Sequence, residues 1–327
     1  LSRPGASEAP EAVRAAAEAR SAARAEQDWQ TADRLRGEIE QAGWKVVDKG
    51  TAYRLVPAHP PDLVEEETIR YGRSDAVPSR LAAPPTRLAT AVVVAREDAA
   101  GAARAARSLL ANCPDTIDVV VVADGLRAKN AGALEAQLGS HDRLEVVWTS
   151  ASLGQGAALN AGGRRAAGGI VIVIDASIEA TGDLVTPLVA ALEDPRVAIA
   201  GPFGLVSDDL RHFSEVPVGP AAAIEGYVQA FRRSDLERRG PMDEAFRFYR
   251  NLDIWWSLVL RDEGEDAAPR EAAVIPDLPF IRHDHVAWSA TAPAERERLS
   301  KRNFYRFLDR FRDRLDLAVP EGRAVTS

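Results

Sequence analysis

The chain has 327 residues, 46% hydrophobic and 28% charged, with a formal net charge of −8, a composition that suits a globular protein of two or three domains. That acidic balance excludes the broad cationic footprint needed for sequence-independent nucleic-acid binding. A single cysteine, Cys113, excludes both an intrachain disulfide framework and a multi-cysteine zinc site.

Taken in order, the opening LSRPGASEAPEAVRAAAEAR has no apolar core behind a basic cap, so a cytoplasmic protein without an export signal is expected. Residues 11–27 form an Ala/Glu/Arg-rich helix, and Trp29, Ala32, Leu35 and Ile39 recur at the spacing of a second amphipathic one. Gly43 is placed to end it. Residues 45–47 and 52–56, around Asp48-Lys49-Gly50, read as a short β-hairpin. Residues 1–57 thus form a helical hairpin with a small strand pair. Residues 58–85, with Pro57, Pro60, Pro61, Pro78, Pro84 and Pro85 around an acidic run, read as a Pro-rich linker holding at most one short helix.

From Thr90 the texture changes. Apolar runs at 91–95, 117–123, 144–148 and 170–174 alternate with helical stretches at 99–110, 128–138 and 155–167. This is the pattern of βαβ units and a mostly parallel sheet buried on both faces. No run nears the roughly 20 apolar residues of a membrane span, since the most apolar one stops at Asp175. Cys113, beside Pro114, reads as a loop thiol. Ligands of such sheets bind beyond the carboxyl ends of the strands. There the chain places Arg96, Glu97 and Asp98, then Asp124 and Gly125, then Asp175, Ala176 and Ser177. Carboxylates at three strand ends suit a ribose, a base edge and a divalent cation.

The segments VVVVADG (119–125), SLGQGAALNAG (152–162) and GGIVIVIDAS (168–177) resemble, in this order, the motifs of family-2 glycosyltransferases of the GT-A fold. The resemblance implies an α/β GT-A domain over residues 86–318, a UDP or GDP sugar as donor, an unknown acceptor and a divalent cation, Mn or Mg. It implies that Asp124 contacts the nucleobase near Arg96 and Glu97, that Gly154, Asn160 and Gly162 shape the wall beneath the nucleotide, and that Asp175 is the surviving acid of the Asp-x-Asp metal motif. Ser177 stands at its second acid. The glycines have a second reading, as close helix–sheet contacts.

Downstream, EGYVQAFRRSDLERRGPMDEAF (225–246) resembles the acceptor-side segment of the same family, and NLDIWWSLVLRDEG (251–264) resembles the helix carrying its Glu-Asp pair. Counting back from Arg261 and Gly264 puts Asp253 at the catalytic acid and Leu252 at the preceding Glu; helix N-capping is the other reading of Asp253. A base there suits an inverting transfer, and a retaining enzyme remains the alternative.

In FIRHDHVAW (280–288), His283 and His285 alternate, so an extended strand would point both one way, as metal or diphosphate contacts. With a histidine ligand, manganese suits the site best. Trp255 and Trp256 read as core, with sugar stacking, together with Trp288, as the alternative. The arginines at 232–239 and 296–314 are interleaved with acids and read as solvated helix faces. The last helix carries Phe304, Phe307, Leu308 and Phe311 on one face. That face packs on the domain or on a second copy in a homo-oligomer, and membrane-surface attachment is the rival reading. Residues 319–327 read as a flexible tail.

AEQDWQTADRLRGEIEQAGWKVVDKGTAYRL (25–55) resembles the C-terminal tail of cysteinyl-tRNA synthetases. None of the synthetase's zinc or nucleotide motifs accompanies it, so packing or docking is expected ahead of tRNA contact. Two alternatives to a transferase follow: a non-catalytic nucleotide-sugar-binding protein, given Ser177 and Leu252, and an RNA-binding or translation-linked adaptor.

Overall fold

In the computed structural model, residues 9–322 are described, apart from Thr51 and Glu67. The chain divides between Leu63 and Val64 into two compact units. The first holds helices α1 (Glu11–Ala25) and α2 (Trp29–Gln41) and the antiparallel strands β1 (Trp44–Lys49) and β2 (Ala52–Pro57). Asp28 caps α2, its Oδ1 accepting from the Thr31 amide at 3.1 Å. Val13, Ala17, Ile39 and Trp44 form a small core. Arg20 donates to both oxygens of Asp48 at 3.0 Å each. Of the expected apolar stripe, Ala32, Leu35 and Ile39 are buried, whereas Trp29 is 58% exposed, because it opens the helix one turn before the packed segment.

The segment expected to be a plain linker differs. Strands β3 (Leu63–Glu65) and β4 (Thr68–Tyr71) lie in it, and β4 runs parallel to a later strand with Arg70 opposite Trp148 and Tyr71 opposite Thr149. The β-branched and aromatic run TIRY supplies this strand between the prolines.

The second unit continues with β5 (Arg87–Ala95), α3 (Ala99–Asn112), β6 (Ile117–Ala123), α4 (Ala128–Leu138), β7 (Leu144–Thr149), α5 (Gln155–Arg164) and β8 (Gly168–Ile174). Strands β8, β5, β6, β7 and β4 are parallel neighbours in that order. The strands bury both faces, as their unbroken apolar runs require. Val92, Val120, Val122, Val171 and Val173 face one cluster with Ala158 and Trp256; Ala91, Val93, Val119, Val121, Ile172 and Ile174 face the other with Ala105 and Leu109. This alternation is the two-residue period of a strand read from two sides. Cys113 follows α3 in the loop to β6, as expected, but is buried at 8% exposure, and burial raises its pKa.

Then come β9 (Ile178–Ala180), α6 (Val185–Ala191) and β10 (Val197–Gly201). The short strands β11 (Gly204–Val206), β12 (Ser214–Val216), β13 (Pro220–Ala221) and β14 (Ala223–Ile224) lead to β15 (Val228–Arg232), α7 (Arg233–Arg239), α8 (Leu252–Arg261) and β16 (Glu271–Val274). The last elements are β17 (Phe280–Arg282), α9 (Val286–Ala290) and α10 (Pro293–Phe311). Strand β15 pairs antiparallel with β8, and β10 antiparallel with β15, so the sheet is mixed on that side. Trp255 and Trp256 are core, 5% and 0% exposed.

Helix α10 packs on its own domain. Phe307 and Phe311 are buried, Phe307 lies edge-on to Phe213, and Asn303 Nδ2 donates to the carbonyls of Phe248 and Arg250 at 2.8 Å each. Val319, expected in a flexible tail, is 5% exposed and exchanges backbone hydrogen bonds with Ser207. Residues 323–327 lie outside the described residues. No helix among the described residues is long and apolar enough to cross a membrane.

Candidate active site

Strand β5 lies between β6 and β8, so the strand order reverses there and a crevice opens at the carboxyl ends. Arg96, Glu97, Asp175, Ser177, Tyr249 and His285 are among its lining residues, and its volume is about 60 Å³, room for about two waters. Asp175 Oδ1 accepts from the Ser177 amide at 2.9 Å and hydroxyl at 2.5 Å, and Asp175 Oδ2 lies 3.4 Å from His285 Nε2. Burial pushes the Asp175 carboxyl up, but His285 and Ser177 outweigh it and hold it below its ordinary value. Burial likewise lowers His285, and Asp175 outweighs it to raise the imidazole.

Asp124, expected at the nucleobase, is turned inward. Its side chain is fully buried and accepts from Arg96 Nε at 2.7 Å, the Leu153 amide at 2.6 Å, Thr149 Oγ1 at 3.2 Å, Ser152 Oγ at 3.1 Å and the Gly154 amide at 3.3 Å. With this many donors the carboxylate holds the β7–α5 loop instead of facing the crevice. Its partner Arg96 does line the crevice, and Arg96 Nη2 is a buried donor with no hydrogen-bond partner among the described residues.

The glycine-rich helix follows its packing reading. A Cβ on Gly162 would come within 2.3 Å of Val92 Cγ1, and one on Gly154, whose φ is +100°, within 2.9 Å of the Arg247 backbone. Asn160 is 5% exposed and clamps the turn at Met242, donating to the Met242 carbonyl at 2.9 Å and accepting from its amide at 2.8 Å. Gly154, Asn160 and Gly162 therefore join α5 to the sheet and to the segment around Met242 and Arg247.

The crevice continues into a cavity of about 710 Å³; Asp175, Gly226, Tyr249 and His285 line both. Asp253 lines this second space. It is not the helix cap: Asn251 holds that position with φ +65°. Asp253 instead accepts from the Gly226 amide at 3.0 Å and from the Ile254 amide at 3.0 Å, and burial raises its pKa. Gly226 eases this approach, since a Cβ there would lie 3.2 Å from that of Asp253, a tight contact.

Beside Asp253, Glu225 is pushed up to about 7 by burial and by the negative charge of Asp253. Glu225 is not among the site residues expected from the sequence. The available signal was an acid set between the apolar runs AAAI and YVQAF.

The two histidines do not act as one pair. Extended structure stops at Arg282, and His285 caps α9, its Nδ1 accepting from the Trp288 amide at 3.2 Å. His283 Nε2 instead meets Glu179 at 2.7 Å. Ser177 is 2% exposed and spends its hydroxyl on Asp175. Of the four residues expected around a cation, Asp175 and His285 present an oxygen and a nitrogen at a separation two ligands of one cation can have. No group of three or more His, Cys, Asp or Glu poised for a metal occurs among the described residues, so further ligands would come from a diphosphate and water. The residues fit a cation held jointly with its nucleotide.

Residues 90–246 match the glycosyl transferase family 2 model. Over this segment, just under half of the chain, the protein is similar to family 2 glycosyltransferases. Two solved structures share the GT-A fold of the unit that carries it. GalNAc-T7, solved with UDP, GalNAc and Mn2+, is 15% identical at a TM-score of 0.50, covering 68% of this chain and 48% of its own. The mannosyltransferase PcManGT from Pyrobaculum calidifontis, solved with GDP-Man and Mn2+, is 20% identical at a TM-score of 0.51, covering 74% and 71%. The chain thus spans about half the length of the first. No curated protein matches the chain.

Proposed function

We propose that the glycosyltransferase domain moves a sugar from a UDP or GDP sugar bound over β5 and β8 to the hydroxyl of an acceptor in the larger cavity. The observation that carries this is the continuity of the two spaces. Asp175 and His285 stand at their junction, and Asp253 and Glu225 lie on the far side from Arg96. The ligands of GalNAc-T7 and PcManGT support the donor class and the choice of manganese.

Asp175 and His285 would hold the cation, which when bound offsets charge on the leaving diphosphate. Arg96, with one unpartnered donor, is placed to bind the nucleotide. Asp253, oriented by the Gly226 and Ile254 amides, takes the proton of the acceptor hydroxyl. The hydroxyl oxygen then bonds to the anomeric carbon as the bond to the diphosphate breaks. Asp124 organises the loop beneath.

Calorimetry with UDP and GDP, with and without manganese, followed by a transfer assay, tests this reading. Nucleotide binding with release of nucleoside diphosphate from a sugar donor is the expected result. Absence of binding by either nucleotide overturns it.

A further inference from the structure

Three arginines, Arg211, Arg250 and Arg282, line the larger cavity. Elsewhere around the site arginines are engaged: Arg96 with Asp124, Arg104 with Glu179 and the Ala176 carbonyl, Arg247 with the Ser152 carbonyl. By contrast, the guanidinium groups of Arg250 and Arg282 make no hydrogen bond or ion pair among the described residues. They are held by aromatic faces instead. Arg282 lies 5.1 Å from the Phe203 ring centre and 5.0 Å from that of Tyr227, and Arg250 lies 5.3 Å from that of Trp288.

A cation–π contact anchors a guanidinium without using its N–H groups, which stay available to a planar or tetrahedral oxyanion. The carboxylates of Glu225 and Asp253 share the cavity yet pair with neither arginine, so space for a ligand separates the charges.

We propose that the acceptor is a hydroxyl compound bearing an oxyanion, phosphate or carboxylate, which Arg250 and Arg282 bind while its hydroxyl faces Asp253. This rests on the glycosyltransferase reading and specifies its acceptor. The arginines set the acceptor's position without touching the reacting atoms. Rim placement gives Arg211 a steering role for the same anion.

The test uses the full chain saturated with UDP or GDP and manganese. Calorimetry compares glucose with glucose 6-phosphate and glucuronate, and glycerol with glycerol 3-phosphate. The expected result is binding of the anionic members about tenfold or more tighter than the neutral ones. The phosphate and carboxylate arms identify which anion is preferred. Arg282→Ala and Arg250→Ala should each remove most of that preference, and Arg282→Lys should restore part of it, with nucleotide affinity and melting temperature unchanged. Equal binding of neutral and anionic probes overturns the proposal, as does an equal loss of nucleotide affinity in the alanine variants, which would place these arginines on the leaving diphosphate. A wild-type chain that binds no nucleotide overturns the donor reading instead, and the two failures are distinguishable.

Discussion

His285 Nε2 lies 3.4 Å from Asp175 Oδ2, so one contact ties the segment after β17 to the end of β8 and closes the crevice above Arg96. Asp175→Ala is expected to abolish the manganese-dependent gain in nucleoside diphosphate affinity, and His285→Ala to reduce it about tenfold or more. His283→Ala should leave the gain in place, because His283 is held by Glu179. Titrations with manganese and with chelator measure all three; a gain that survives Asp175→Ala removes the cation from this position.

Asp253→Asn keeps the shape of the side chain but cannot take a proton. Turnover is expected to fall by about two to four orders of magnitude with nucleotide affinity nearly unchanged. Single-turnover kinetics beside calorimetry separates the two effects. Parallel losses in both would make Asp253 a structural residue.

Glu225 gives the site a pH dependence. Its pKa, raised to about 7 from an ordinary 4.5 by burial and by Asp253, means the folded state binds a proton that the unfolded chain releases earlier. The stabilisation is therefore full below about pH 4.5 and is lost as pH rises through about 7. Glu225→Gln should raise the melting temperature relative to wild type more at pH 8 than at pH 5. Melting curves from pH 5 to 8 check this, and the same pH dependence in both proteins would refute the cost of ionising this carboxylate.

Gly162→Ala places a methyl group 2.3 Å from Val92 Cγ1 in a fully packed layer. A loss of about 1–3 kcal/mol is expected from overpacking. The denaturant midpoint measures it. An unchanged midpoint would show that α5 can move off the sheet.

Removing residues 1–57 should leave a folded second unit with unchanged nucleotide affinity, because the division at Leu63 gives that unit its own core. The readout is one cooperative melting transition plus calorimetry; aggregation or lost binding would contradict it.

The sequence by itself determined the parallel layer. Runs such as IDVVVVA and GGIVIVI have one stable destination, a strand buried on both faces, and helices of the observed length lie between them. It also placed Asp175 at a strand end and Asp253 at a helix start, because both positions follow from local pattern and motif order. Tertiary structure decided which groups face one another. Asp124 ends its strand as Asp175 does, but only the fold brings five donors around the first and an imidazole to the second. The pairing of Glu225 with Asp253 joins residues 28 positions apart through a glycine that admits close approach. His283 and His285 part because extended backbone ends at Arg282, and the period-two rule holds only within a strand. Local propensity is carried by neighbours in the chain, whereas burial, partners and proton affinity depend on groups that only packing makes neighbours.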